Sequence, residues 1–106
     1  MPRYLIRANY TTEGLQGLLK EGGTGRRKAI ETLASSLGGQ LVSLDYAFGE
    51  HDVYAICDLP DDETAAAVSL RISASGAVEA NTVKLLSPEQ IDAATQREVE
   101  YRKPGA

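Results

Sequence analysis

Gly49-Glu50-His51-Asp52-Val53-Tyr54-Ala55-Ile56-Cys57-Asp58-Leu59-Pro60 sets a tight polar turn directly before an apolar run that stops at a proline. Asp52 to Leu59 reads as a strand. It carries Val53, Tyr54 and Ile56, residue types that suit a pleated half-buried surface, and Pro60 cannot donate to a ladder. Gln40 to Phe48 reads as another strand just upstream. Val42, Leu44, Tyr46 and Phe48 give it one apolar face, and Leu41, Ser43, Asp45 and Ala47 a mixed one. Only Gly49 to His51 separates the two runs, so the segment predicts a β-hairpin.

The hairpin fixes how its neighbours must be arranged. Arg3 to Tyr10 alternates, with Tyr4, Ile6, Ala8 and Tyr10 on one face and Arg3, Leu5, Arg7 and Asn9 on the other. Thr11 or Thr12 can cap a short helix striped by Leu15, Leu18 and Leu19. Gly22-Gly23 interrupts it, and Thr24 is placed to cap a longer helix. There Ile30, Leu33, Ala34 and Leu37 keep the spacing of a core-facing stripe. Gly38-Gly39 closes that helix. After the hairpin, Asp61 or Asp62 caps a helix striped by Ala65, Val68 and Ile72, which Gly76 ends. Ala77 to Leu86 is the fourth strand. Ser87-Pro88-Glu89-Gln90 opens a last helix over roughly Glu89 to Arg97, and Glu98 to Ala106 reads as an extended tail.

The order strand, helix, strand, strand, helix, strand is the split βαβ pattern of an α+β, ferredoxin-like fold. It predicts a four-stranded antiparallel sheet with helices on one face, plus an extra C-terminal helix and tail. There are too few elements to cover the other face. Such a face stays wet or meets a second copy, so a homodimer or higher homo-oligomer is expected, with a small-molecule cavity between facing sheets.

Composition bounds the reading. The chain of 106 residues falls within the usual size of one domain, spanning 1–106. A net charge of −4 does not suit phosphate-backbone binding, and Arg26-Arg27-Lys28 is the one basic run, so no nucleic acid partner is expected. No apolar run is long enough to span a bilayer, and no leader-like segment precedes the first strand, so no membrane partner is expected. Cys57 is the single cysteine. It permits no internal disulfide, which fits a reducing, cytoplasmic setting, and within an apolar strand it reads as a small buried hydrophobe.

Three groups of residues are candidates for a site. The first is His51 with Asp52. His51 can act as a general base or polar anchor oriented by Asp52 or Glu50, or it can be a solvated turn residue beside an Asp that bonds a loop amide. One His and one Cys do not make a metal site, so none is expected. The second is Gly23-Thr24-Gly25-Arg26-Arg27, preceded by Gly22. Glycines at a helix start can present amides to an anion, with an arginine adding charge, or they can simply break one helix from the next. The run lacks the Walker ending, and it follows a helix where a Rossmann fingerprint follows a strand. The third is Arg7, Asn9, Asp45 and Tyr54, with Arg3 and Lys84. On the helix-free face these line a polar cavity or form an interface network.

Tyr4-Leu5-Ile6, Tyr10-Thr11-Thr12-Glu13-Gly14, Ser36-Leu37-Gly38-Gly39, Phe48-Gly49-Glu50-His51-Asp52 and Asp58-Leu59-Pro60-Asp61 together resemble the GYD-domain family. Their order and spacing carry the likeness across most of the chain. The resemblance implies the dimeric α/β barrel type of ferredoxin-like fold. It departs at one place: His51 stands where the Gly-Tyr-Asp signature has tyrosine. Wider relatives of that barrel type include cofactor-free monooxygenases, haem-binding degraders, muconolactone isomerases and effector-binding domains, among which fold alone does not choose. The residues require no cofactor, and haem is the one option the resemblance adds. Three functions follow as expectations. One is a homo-oligomeric small-molecule-binding or regulatory module. The others are a cofactor-independent or haem-assisted enzyme of monooxygenase or isomerase type, and a purely structural assembly protein.

Overall fold

The computed structural model describes residues 1–106. Along the chain run β1 (Arg3–Tyr10), α1 (Thr12–Glu21), α2 (Gly23–Ser36), β2 (Gln40–Tyr46), β3 (Val53–Asp58), α3 (Asp62–Ala74), β4 (Val78–Leu85) and α4 (Pro88–Thr95). The strands form one antiparallel sheet in the order β2-β3-β1-β4. This is the expected α+β, ferredoxin-like arrangement, with the additional C-terminal helix in place.

Register sorts the side chains. Ile6 lies opposite Ala55 and Ala8 opposite Val53, and all four turn toward the helices. Arg7 lies opposite Tyr54 on one side and Asn81 on the other, so these three share the helix-free face. The buried cluster of Tyr4, Cys57, Leu59 and Ala65 sits on the helix side, with Ile6 and Leu41 packed against it. The Tyr4 hydroxyl donates to Asp62 at 2.6 Å, and Lys84 pairs with the same carboxylate at 2.9 Å. Across the sheet, Arg3 clasps Asp58 through Nε and Nη2 at 2.8 and 3.1 Å, and Gln40 donates to it at 3.2 Å.

Several local expectations are corrected. The second strand does not keep Val42, Leu44, Tyr46 and Phe48 on one face. Its register shifts between Leu41 and Ser43, so Leu41 and Leu44 oppose the inward-facing Cys57 and Ala55, and Val42 is the extra residue of a bulge. The strand ends at Tyr46, and Phe48 projects wholly into solvent from a loop spanning 47–52, longer than the predicted turn. Helix α2 begins at Gly23 with Gly22 at its N-cap, so Thr24 lies inside the first turn and caps nothing. The other caps form as read. Thr11 and Asp61 accept from amides three residues on, and Ser87 with Gln90 closes a full capping box with Pro88 in the first turn.

Two glycines are required by close approach. A Cβ on Gly14 would run into the Ala77 carbonyl, where α1 meets the entry to β4. A Cβ on Gly39 would run into the Asp58 carbonyl, where the exit of α2 crosses the end of β3. Both lie in strings that carry the family likeness, which gives those strings a physical content.

Candidate functional site

The β2–β3 hairpin is fastened to the end of β1 by Asp52 and Asn9. The Ala47 amide donates to the Asp52 carbonyl at 2.9 Å and closes the loop. The Asp52 amide donates to the Ala8 carbonyl at 3.0 Å and to Asn9 Oδ1 at 3.1 Å. In return, Asp52 Oδ2 accepts the Tyr10 amide at 2.9 Å. Asp52 therefore spends its carboxylate on the backbone, which is the loop-amide role, and no contact points it toward His51.

His51 belongs to the helix-free side. Its Nδ1 lies 3.4 Å from Asn9 Nδ2, so the tautomer that accepts there is the one the contact favours. Its ring meets Tyr54 edge-on, with centroids 5.7 Å apart and planes at 86°. Beside Tyr54, Arg7 Nη2 donates to Asn81 Oδ1 at 2.7 Å, and its buried Nε has no partner. Asp45 is opposite Tyr54 at the edge of the same face. Arg7, Asn9, His51 and Tyr54 thus form a polar surface along the centre of the sheet, joined by Asn81 from β4.

The glycine-rich segment does not gather its two arginines. Arg27 lies on the open outer face of α2, 3.8 Å from Glu31 and beside Thr24, Gly25 and Lys28. Arg26 turns inward instead, to the rim of a partly open cavity between sheet and helices.

That cavity, of about 70 Å³, is a partly open apolar cleft between sheet and helices. Its floor is Ile6, Ala8, Val53, Ala55 and Cys57 on β1 and β3; its walls are Ile30, Leu33, Ala34 and Leu37 of α2 and Val68 and Ile72 of α3. It exists because the residues at the sheet centre are small. Ala8, Ala34, Ala55 and Cys57 are all buried there and leave a gap that larger residues would fill. Arg26 is the only lining residue that is not hydrophobic. Tyr10 stands beside it, with its phenol pushed up to about 12 by burial first and by Tyr46 second, against the opposing pull of Arg26. Tyr46 donates its hydroxyl to the Gly23 carbonyl at 3.2 Å and so ties the start of α2 to β2. Burial pushes the Cys57 thiol up, so at neutral pH it is a protonated lining group.

The sequence reading places Arg26 in an anion site with Arg27 and does not single out Tyr10 or Tyr46. The signal that finds this site is the run of small residues, Ala8, Ala34 and Ala55, at positions the periodicity marks as core. Haem does not fit this chamber. The cavity is far smaller than a porphyrin and has no histidine among its lining, and His51 lies on the other side of the sheet. No group of three or more His, Cys, Asp or Glu is placed to hold a metal ion. No helix is long and apolar enough to cross a membrane.

The chain is thus a small α+β domain of ferredoxin-like fold, with an apolar chamber under its helices and a polar array on the open face of its sheet. The chain belongs to the GYD domain family, whose model matches residues 4–95. No curated protein and no solved structure matches it.

Proposed function

We propose that the chain is a homo-oligomeric module that binds a small molecule, with the chamber between sheet and helices as its ligand site. The observation that carries this reading is the chamber itself: a partly open, almost wholly apolar space with one charged side chain in its lining. Small-molecule sites are typically concave and apolar with a few placed polar groups.

Self-association is supported by surface. The chain exposes 7672 Å², against about 5,700 Å² expected for a compact monomer of this mass. Its radius of gyration is 16.9 Å where about 13 Å is usual for the length. The excess exceeds the roughly 800 Å² that each partner contributes to a standard interface. Part of it is the arm from Leu86 onward, where Leu86, Ile91, Val99 and Tyr101 are exposed, and part is Phe48 at the hairpin tip. The open sheet face, with Arg3, Arg7, Asp45 and Glu79, carries both signs of charge, as a self-complementary surface requires.

Native mass spectrometry of the purified protein tests both halves. The expected result is a dimer or larger assembly carrying a retained small mass. A bare monomer at micromolar concentration contradicts the proposal.

A further inference from the structure

Resting on the chamber as ligand site, we infer that its ligand is a compact apolar acid: a hydrocarbon body that enters between α2 and α3, and a carboxylate that stays at the mouth on Arg26. The chamber supplies the body's environment, since Arg26 is the only lining residue that is not hydrophobic. Its size limits the body. At about 70 Å³ it has roughly half the volume of an engineered apolar cavity of about 150 Å³ that takes up benzene. A short or branched chain of a few carbons therefore fits without displacing the helices.

The head is argued from Arg26. Every ion pair in the molecule uses another cation: Arg3 with Asp58, Arg27 with Glu31 and Lys84 with Asp62. Glu13 and Glu21 line the groove outside Arg26, yet no carboxylate comes within ion-pair distance of its guanidinium. Arg26 is half-buried, so it is a partly desolvated cation without an anion. A planar carboxylate matches the guanidinium fork in two parallel hydrogen bonds. Tyr10 stands beside the guanidinium, its phenol engaged with Tyr46 and Arg26. A neutral ligand of the same shape would leave Arg26 without an anionic partner and bind more weakly.

The test is calorimetric titration with butanoate, 3-methylbutanoate and hexanoate, each against the amide of the same carbon skeleton. Arg26→Gln keeps the length of the side chain and removes its charge, and Arg27→Gln is the control on the outer face. The expected result is carboxylate binding at least tenfold tighter than amide binding, lost in Arg26→Gln and kept in Arg27→Gln. Equal affinity for acids and amides, unchanged by Arg26→Gln, overturns the acid class and leaves the chamber as a site for neutral molecules. Equal loss in Arg27→Gln overturns the assignment to Arg26. No binding of any member, acid or amide, overturns the acid ligand together with the small-molecule reading on which it rests.

Discussion

Asp52, and not His51, holds the hairpin to the sheet. Its carboxylate takes the Tyr10 amide at 2.9 Å at a point where β1 has run out of ladder partners on that side. Removing it strands a half-buried amide donor, which costs about 1–3 kcal/mol. Asp52→Ala is therefore expected to lower the melting temperature by several degrees or more. His51→Ala breaks one long contact and one ring edge, and its stability is expected to stay within about 0.5 kcal/mol of the parent. Paired thermal melts check both. A harmless Asp52→Ala would contradict the role given to the carboxylate.

Titration acts at the same scale. Asp58 is held below the ordinary carboxylate range chiefly by its hydrogen bond from Arg3, with Gln40 adding to it. Asp62 is held down by the Tyr4 hydroxyl first and Lys84 second. A carboxyl with a depressed folded pKa binds fewer protons folded than unfolded. Its contribution is complete above the ordinary value of about 3.9 and is lost as pH falls through the lower folded value. Tyr4 has the opposite sign. Burial, and then Asp62, push its phenol up to about 12, so its contribution is complete below the ordinary value and is lost as pH climbs toward that figure. Melts from pH 7 downward are expected to show an acid limb that Asp58→Asn flattens. An unchanged limb in that variant would remove Asp58 from the account.

Elements follow their end signals more faithfully than their faces. The caps at Thr11, Asp61 and Ser87 and the glycine stops at Gly38 and Gly76 are short-range chemistry, fixed by residues within three or four positions, and the sequence alone reveals them. The face of β2 is not short-range. It depends on a bulge at Val42 that only pairing with β3 creates, so alternation read from β2 alone assigns Val42 and Phe48 to the wrong environment. The chamber was half legible. Its apolar stripe and small residues are visible in the pattern, and Arg26, four residues before Ile30, extends that stripe; what the pattern does not show is the gap beneath it. In α1, Gly14 and Gly17 make a matched pair. Gly14→Ala drives a methyl into the Ala77 carbonyl and is expected to cost about 1–3 kcal/mol. Gly17 has open space around its Cβ position, so Gly17→Ala is expected to gain up to about 1 kcal/mol of helix propensity. Denaturant midpoints of the two variants should move in opposite directions.

At the scale of the whole molecule, α4 stands apart: its start is encoded locally by the capping box, yet it buries no residue. Deleting residues 87–106 is therefore expected to leave the unfolding of the sheet and its helices nearly unchanged. If the arm serves association, the same deletion weakens it, which sedimentation at several concentrations reports. A truncated chain that unfolds would show that the arm supports its own body.

Methyl NMR during a titration with 3-methylbutanoate tests the location of the ligand site most directly. Shifts are expected at Ile30, Leu33, Leu37, Val68 and Ile72, with Leu5, Ile56 and Val83 on the open sheet face unmoved. Shifts confined to the open face, or none at all, would contradict it.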